Sequence, residues 1–328
     1  MLSSVMVIGL GSMGNRRLRL LRKLRPGLRL CGVDMDPQRR ETARTTHGIS
    51  AYPALEEALA AERPEAAVVS SSPLSHAALI RQCLRAGLHV FTELNLVPEG
   101  YEENMTLAEE MGRVLFLSST FLYREENRYI MQRSKENGTL NYRYHVGQYL
   151  PDWHPWESYK GYFVGDKRTN GCREVFAIEL PWLCAAFGPI EEIRSLHGRF
   201  SGLHIAYDDS YMLLIRHRNG HIGNLCVDVI SRKAVRQFEM YGKNIFLTWN
   251  GRPNTLHDWD PDTKELRHIK LYEDAEHRDG YADFIVENAY QEELAAFLAQ
   301  VEEGILPPYG FADDLETLRW IDKIENGV

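Results

Sequence analysis

The sequence lacks any apolar run close to the roughly 20 residues that a membrane-spanning helix needs. Its first residues also lack a basic segment followed by a long apolar one, so we expect neither a secretory signal nor a membrane partner. No Cys-x-x-Cys occurs, and the cysteines are dispersed, which argues against a disulfide framework or a zinc knuckle and fits a cytoplasmic location. We interpret each as a small buried residue. They are Cys31, Cys83, Cys172, Cys184 and Cys226.

Positive charge is scarce, since 38 lysines and arginines face 46 acidic residues and leave a net charge of -8. Such a chain repels phosphate backbones, so we expect no nucleic-acid partner. Most of the histidines are scattered without ligand spacing, and we expect no metal. The 44% of hydrophobic residues and the length of 328 residues predict a globular protein of two domains.

The first third of the chain alternates short apolar runs with helix-like segments, the pattern of a parallel sheet covered by helices. Past residue 120, several strand-like runs follow one another without intervening helices, which predicts a mixed or antiparallel sheet. The fold class is therefore α/β: an amino-terminal doubly wound Rossmann domain and a carboxy-terminal domain with a largely antiparallel sheet. We place the boundary between residues 121 and 122, so the domains span 1–121 and 122–328. Closing helices are predicted over Tyr281–Glu303 and Asp313–Ile324.

A Gly-x-Gly-x-x-Gly turn follows the first predicted strand and opens a helix. Its first glycine permits the tight turn, the second lets a pyrophosphate approach the backbone, and the third lets helix and strand pack closely. The helix start then presents its N–H groups to the phosphates. The predicted cofactor-binding residues of this turn are Gly9, Gly11, Ser12, Met13 and Gly14.

Asp34 ends the second predicted strand, twenty residues after the last glycine. A carboxylate there accepts hydrogen bonds from ribose hydroxyls and repels a 2′-phosphate, so NAD is preferred over NADP. Arg39 and Arg40 leave NADP open, because a nearby arginine receives a 2′-phosphate. We interpret them, and the arginines of the first helix (including Arg16 and Arg17), as solvated helix charges, although Arg16 is near enough to the turn to assist the phosphates.

The chain resembles the Gfo/Idh/MocA oxidoreductases over almost its whole length. Ser71-Ser72-Pro73-Leu74-Ser75-His76 is similar to that family's Thr-Pro-Pro-x-x-His turn, and the stretch from Ala86 to Glu93 is similar to its Ala-Gly-Lys-His-Val-x-x-Glu strand. The resemblance implies that Ser71, His76, Glu93 and Asn95 help to bind the cofactor. It also implies a carboxy-terminal open-faced sheet that supports the substrate and builds a homodimer or homotetramer.

Two departures from the family pattern concern the chemistry. The family's Glu-Lys-Pro reads Glu93-Leu94-Asn95, so the lysine beside the nicotinamide is absent. The family's Asp-x-x-x-His places Glu174 at the aspartate and Ile178 at the histidine, or, shifted by one residue, Glu179 at the histidine. The usual proton-transfer pair therefore does not carry over.

The remaining candidates for proton transfer and substrate binding come from the second domain. Glu174 is a candidate acid or base if desolvation raises its pKa, and a salt bridge to Arg173 or another basic group is the alternative. An aromatic loop after residue 147 offers rings that pack on sugar faces, or else a packed loop or subunit contact. It resembles loops of family members from bacterial surface-sugar and nonulosonic-acid pathways. The predicted catalytic residues are Glu174, His154 and Lys160, and the predicted substrate-binding residues are Tyr123, Trp153, Trp156 and Arg173.

The sequence thus predicts an NAD(H)-dependent oxidoreductase that transfers a hydride to or from a carbinol or carbonyl carbon of a sugar, a nucleotide-sugar or a related polyhydroxy acid. Two alternatives stay open. One is a non-catalytic, dinucleotide-responsive regulatory protein, and the other is an NAD-dependent lyase that uses transient oxidation.

Overall fold

The computed structural model describes residues 1–154, 157–277 and 284–327. These residues form two compact units. The first unit combines Met1–Ser119 with Tyr290–Leu315, and the second combines Thr120–Ala289 with Glu316–Val328. The domain boundary predicted between residues 121 and 122 remains a prediction. Within the described ranges, no helix is long and apolar enough to cross a membrane.

The first unit is built around a six-stranded parallel sheet in the order β3-β2-β1-β4-β5-β6, as predicted for a doubly wound domain. Its strands are β1 Ser4–Ile8, β2 Arg29–Val33, β3 Ser50–Tyr52, β4 Ala66–Val69, β5 His89–Thr92 and β6 Leu115–Leu117. The central strands β1 and β4 are buried along their full length, which is why they read as continuous apolar runs.

Helices connect these strands and cover the sheet. They are α1 Ser12–Leu24, α2 Pro37–His47, α3 Leu55–Glu62, α4 His76–Arg85 and α5 Tyr101–Glu110. The local sequence sets their ends, as α2 illustrates. Asp36 caps its first turn by accepting from the N–H groups of Gln38 and Arg39, Pro37 starts it, and Gly48 ends it in the left-handed conformation.

The second unit contains an eight-stranded, largely antiparallel sheet in the order β14-β13-β12-β11-β7-β10-β9-β8. Its strands are β7 Asn141–Gly147, β8 Ile190–Gly198, β9 Ser210–His217, β10 Ile222–Asp228, β11 Val235–Gly242, β12 Ile245–Trp249, β13 His257–Asp260 and β14 Glu265–His268. Among the described strands of this sheet, only β7 and β10 pair in parallel. The predicted fold class is confirmed for both sheets.

The described helices of the rest of the chain are α6 Glu125–Lys135, α7 Gly171–Phe187, α8 Glu287–Glu303 and α9 Phe311–Glu325. One face of the second sheet is buried, with Tyr142, Tyr144 and Phe238 fully enclosed. The opposite face leaves apolar side chains exposed, among them Met212 and Leu214. This is the open face that the family resemblance implies.

Several local expectations were wrong. The helix predicted from Tyr281 begins at Glu287, and residues 281–283 lie outside the described ranges. Asp208-Asp209 and Asp258-Trp259-Asp260 have the composition of exposed turns, but Asp209 and Asp258 are buried. Asp209 accepts from the N–H groups of Phe200 and Ser201, and Asp258 pairs with Arg133. From the sequence alone, a buried aspartate cannot be told from an aspartate in an exposed turn, because its hydrogen-bond and ion-pair partners lie elsewhere in the chain.

Candidate functional site

The glycine turn joins β1 to α1 in a conformation that only glycine accommodates at two of its three positions. Gly9 has a φ of +90°, and a Cβ there would lie 2.6 Å from the carbonyl oxygen of Ser70. A Cβ on Gly14 would overlap the carbonyl oxygen of Gly9. These two glycines therefore serve the packing of strand against helix and of β1 against the end of β4.

Gly11 has no such steric reason to be glycine. Its φ of -72° suits any residue, and a Cβ there would meet nothing closer than Nη1 of Arg39 at 3.5 Å. It is the N-cap residue of α1, and no side chain of the described residues caps this helix start, whose first turn also holds no acidic residue. The turn therefore leaves room over backbone N–H groups and a positive helix end, which fits a pyrophosphate. Ser12 and Met13 form the first turn of α1.

Asp34 lies beside this turn, directly after β2. Its Oδ2 accepts from the N–H of Leu10 at 2.8 Å, and its Oδ1 accepts from the N–H of Asp36 at 2.8 Å. The carboxylate is thus held next to the glycine turn, where the sequence predicted a ribose contact. Nη1 of Arg39 lies 3.8 Å from Oδ2, and about half of the Arg39 side chain is exposed.

Ser71, His76 and Asn95 form one contact group after the ends of β4 and β5. His76 is buried, its Nε2 lies 2.9 Å from the Ser71 carbonyl oxygen, and its Nδ1 lies 2.6 Å from Oδ1 of Asn95. Burial lowers the pKa of His76, so the ring is neutral at physiological pH. Asn95 is 2% exposed, and its Nδ2 has no hydrogen-bond partner among the described residues. The structure brings these three predicted residues together.

Glu93 is engaged in a buried ion pair. Nε of Arg17 lies 2.6 Å from Oε1 of Glu93, and Nη2 of Arg17 lies 2.8 Å from Oε2 of Glu293. Ser118 and the backbone of Ser119 also hydrogen-bond to Glu293. Although burial opposes the charge of Arg17, the two carboxylates raise its pKa.

The expectation that Arg16 and Arg17 are solvated was therefore wrong. Both are buried, and the Arg16 guanidinium lies 4.4 Å from the centroid of the Tyr290 ring. Helical periodicity places both arginines, but it does not reveal that carboxylates and an aromatic ring from distant segments cover them.

In the second unit, Glu174 lies in the first turn of α7, whose N-cap residue is Asn170. Its Oε2 is buried and has no hydrogen-bond partner among the described residues. Desolvation raises the pKa of Glu174 to about 7. A carboxyl group with such a pKa exchanges protons readily at neutral pH, which suits a general acid or base.

The alternative, a salt bridge between Glu174 and Arg173, is not what the structure shows. Arg173 Nη2 lies 2.7 Å from Oδ1 of Asp322, and its Nη1 lies 2.5 Å from Oε2 of Glu325. The predicted substrate-binding guanidinium thus holds the end of α9.

Tyr162 is a further polar residue of this region that the sequence analysis missed. Its hydroxyl is buried without a partner among the described residues, and burial together with the nearby charge of Glu174 raises its pKa. The His154 ring stacks on it at 4.6 Å, and His154 Nδ1 lies 2.8 Å from Oε1 of Glu157. The density of aromatic residues in this part of the chain was the signal that could have found it.

The other predicted residues of the second unit have varied surroundings. Trp153 donates from Nε1 to the carbonyl oxygen of Gln148 at 3.1 Å. Lys160 is exposed, with Nζ 6.0 Å from the centroid of the Tyr159 ring. Tyr123 is buried. Trp156 lies outside the described residues.

Glu179, the alternative position for the family histidine, belongs to a buried network of its own. Its Oε2 accepts from Tyr144 Oη at 2.8 Å and from Trp182 Nε1 at 2.7 Å, and its Oε1 contacts Arg236. Glu179 is fully buried and ion-paired, which favours a structural role, whereas Ile178 is partly exposed.

Comparisons with known proteins agree with this geometry. Residues 3–119 match the model of the Gfo/Idh/MocA oxidoreductase family, described as an NAD-binding Rossmann fold. The match lies within the amino-terminal domain, where it agrees with the resemblance and with NAD as the cofactor that such a domain binds.

One curated relative is human biliverdin reductase A, which is 35% identical over 124 residues. The match covers 37% of this chain and 41% of the human enzyme, so the chain spans less than half the length of this relative in the match.

Two solved structures share the fold over nearly the full chain. The biliverdin reductase of Synechocystis in complex with biliverdin and NADP+ is 16% identical with a TM-score of 0.78, and the match covers 99% of this chain and 98% of that one. The WlbA dehydrogenase of Bordetella pertussis in complex with NADH and UDP-GlcNAcA is 14% identical with a TM-score of 0.75, and the match covers 98% and 95% of the two chains. At these identities the likeness shows the fold alone.

Proposed function

We propose that this protein is an NAD(H)-dependent oxidoreductase that transfers a hydride to or from a carbinol or carbonyl carbon of a sugar, nucleotide-sugar or related polyhydroxy acid. The observation that best supports this proposal is the glycine turn. Neither the backbone conformation nor the neighbouring atoms of Gly11 require a glycine, and the start of α1, without a side-chain cap from the described residues, lies beside the Asp34 carboxylate. The cofactor supplies the hydride chemistry, and the chain supplies placement and a proton relay.

Glu174 is the proposed proton-transfer group. Hydride transfer at a hydroxyl-bearing carbon requires a group that gives or takes the hydroxyl proton, and the family lysine is replaced by Leu94. A desolvated carboxyl group with a pKa of about 7 fits this role. His154 and Lys160 remain proposed participants, and Tyr123, Trp153, Trp156 and Arg173 remain proposed substrate contacts.

The first experiment is calorimetry with NAD on the purified, cofactor-stripped protein. We expect saturable binding that Asp34→Ala weakens at least tenfold, because the ribose loses a carboxylate acceptor. Glu41→Ala, which removes an exposed carboxylate from the same region, is the matched control and should leave binding unchanged. An Asp34→Ala variant that binds NAD as the wild type does would reject the ribose contact.

The second experiment tests the chemistry with a panel of sugars and nucleotide-sugars, followed through NADH absorbance. For the substrate that reacts, Glu174→Gln should lower kcat about 100-fold or more with a smaller effect on KM. Equal turnover in this variant would remove Glu174 from the reaction. Binding of NAD without any turnover would favour the regulatory alternative, and product without net NADH would favour the lyase.

A second candidate substrate class is a linear tetrapyrrole. It is favoured by the likeness to human biliverdin reductase A and by the absence of the family lysine, since reduction at an unsaturated carbon makes a different demand on the proton donor than oxidation of a hydroxyl group. Incubation with biliverdin and NADH or NADPH tests it. Conversion of the biliverdin absorption band to that of bilirubin would replace the sugar proposal.

We also propose a cytoplasmic homodimer or homotetramer. The five cysteines form no disulfide, which fits a reducing compartment. The open sheet face exposes Leu196, Met212 and Leu214, which supports assembly through this face. Leu214→Glu should reduce the mass measured by light scattering, and an unchanged mass would argue against this interface.

A further inference from the structure

Three side chains with metal-binding atoms meet on the open face of the second sheet. In the parallel pair of β7 and β10, Cys226 lies opposite His145, and Asp228 follows two residues later on the same face. One ligand atom from each of the three lies within 4.8 Å of the others. These residues belong to none of the proposed cofactor or substrate sites, and they lie on the face proposed for assembly, where Cys226 pairs with Met212.

The donor set is an imidazole nitrogen, a thiol sulfur and a carboxylate oxygen. Such a mixture suits Zn²⁺ or Co²⁺ and is unsuited to Mg²⁺ or Ca²⁺, which take oxygen ligands. Three protein ligands also match the sites that leave one position of a tetrahedral zinc ion open to solvent or to another ligand.

The Asp228 carboxylate is oriented by its neighbours before any ion arrives. Its Oδ1 accepts from the N–H groups of Ile230 at 3.0 Å and Ser231 at 2.7 Å, and its Oδ2 accepts from Ser231 Oγ at 2.9 Å. Gly147 lies opposite Asp228 in the register, and a Cβ on Gly147 would overlap the carboxylate. Hydrogen bonds of this kind orient metal-binding carboxylates and raise affinity.

His145 has the freedom that binding requires. Its Nε2 lies 2.7 Å from Asp228 Oδ2, with a proton between them, whereas two atoms bound to one tetrahedral zinc ion lie about 3.3 Å apart. The ring must therefore move outward by roughly 0.6 Å to exchange this proton for a metal ion. The His145 side chain is 41% exposed, whereas the hydrogen-bonded Asp228 side chain is 6% exposed, so His145 is the partner that moves.

We propose that His145 Nε2, Cys226 Sγ and Asp228 Oδ2 bind one Zn²⁺-class ion on the open face of the sheet. The sequence expectation of no metal did not consider this set, because 81 residues separate its histidine from its cysteine. The site is independent of the proposed oxidoreductase function, and its test uses no substrate.

The test is a Co²⁺ titration of the reduced, metal-stripped protein under anaerobic conditions. We expect one Co²⁺ per chain, with a near-ultraviolet thiolate-to-cobalt band, and competition by Zn²⁺. Cys226→Ser should abolish the band, and His145→Gln should weaken binding at least tenfold.

Cys184→Ser is the matched control, because Cys184 is the other partly exposed thiol and lies on α7. It should leave the band and the affinity unchanged. His268→Gln is a second control and should also leave both unchanged; it removes one of two neighbouring rings, His257 and His268, whose centroids lie 5.4 Å apart. A band that persists in Cys226→Ser, a band lost in Cys184→Ser, or the absence of saturable binding at one ion per chain would overturn the proposal.

Discussion

Two regions of the molecule, the Arg17 network of the first unit and the start of α7 in the second, treat buried polar groups in opposite ways. In the first region, Arg17 is paired with Glu93 and Glu293, and the nearby Asp34 carboxylate accepts from backbone N–H groups. In the second unit the Glu174 carboxylate and the Tyr162 hydroxyl each bury an oxygen without a partner among the described residues. Paired charges and hydrogen-bonded carboxylates hold the cofactor turn in place. Burial of a carboxyl group without a partner instead raises its pKa. The comparison teaches that binding and proton transfer place different demands on burial.

The largest effect is expected where a matched charge is removed. Arg17→Ala leaves two carboxylates buried without their cation, which should lower the free energy of unfolding by about 3–5 kcal/mol. Urea unfolding measures this change. Arg22→Ala, in the same helix but exposed, should cost less than about 1 kcal/mol. Equal losses in the two variants would refute the claim that the network is matched.

Glu174 is expected to give the next largest effect, with the opposite sign. The unfolded chain loses the proton of Glu174 near pH 4.5, whereas the folded chain keeps it until about pH 7, so stability falls between these values as the pH rises. Glu174→Gln should therefore be more stable than the wild type at pH 8, by at most about 3 kcal/mol, and equal to it near pH 4.5. Urea unfolding at both pH values checks this. A difference that does not change with pH would mean that the carboxyl group has its ordinary pKa.

The glycine turn separates binding from stability. Gly11→Ala should leave unfolding unchanged within about 0.5 kcal/mol and raise the Kd for NAD at least tenfold, because the new methyl group occupies the space that a pyrophosphate needs. Gly14→Ala is the contrasting variant and should destabilise the fold, since its Cβ would overlap the Gly9 carbonyl oxygen. Normal NAD affinity in Gly11→Ala would locate the phosphates elsewhere.

The smallest effect distinguishes two tyrosines. Tyr162→Phe removes a buried hydroxyl without a partner and should be neutral or stabilising by about 1 kcal/mol. Tyr207→Phe removes a hydroxyl that donates to the Val164 carbonyl oxygen at 2.8 Å and should cost about 1 kcal/mol. Thermal unfolding of the two variants side by side decides the matter, and a clear loss of stability in Tyr162→Phe would show that its hydroxyl is bonded.

The cofactor side of the molecule could be predicted because its signals are local. The glycines, the strand before them and Asp34 lie within 34 residues, and the alternation of strands and helices gave the parallel sheet. The predictions failed where partners come from distant segments, as for Arg17 with Glu293 and Asp258 with Arg133. Periodicity reports which residues share a face, but not which distant segment covers that face.

The amino-acid sequence by itself determined the β-α alternation, the glycine turn and the loss of the family lysine at Leu94, because each depends on neighbours along the chain. Tertiary structure alone decided that Arg173 pairs with α9 and not with Glu174, and that the Glu174 carboxyl group is desolvated. It also decided that three metal-binding side chains meet on adjacent strands: His145, Cys226 and Asp228. Solvent exclusion and cross-strand register are the physical reasons, since both arise from segments that the fold brings together across long stretches of sequence.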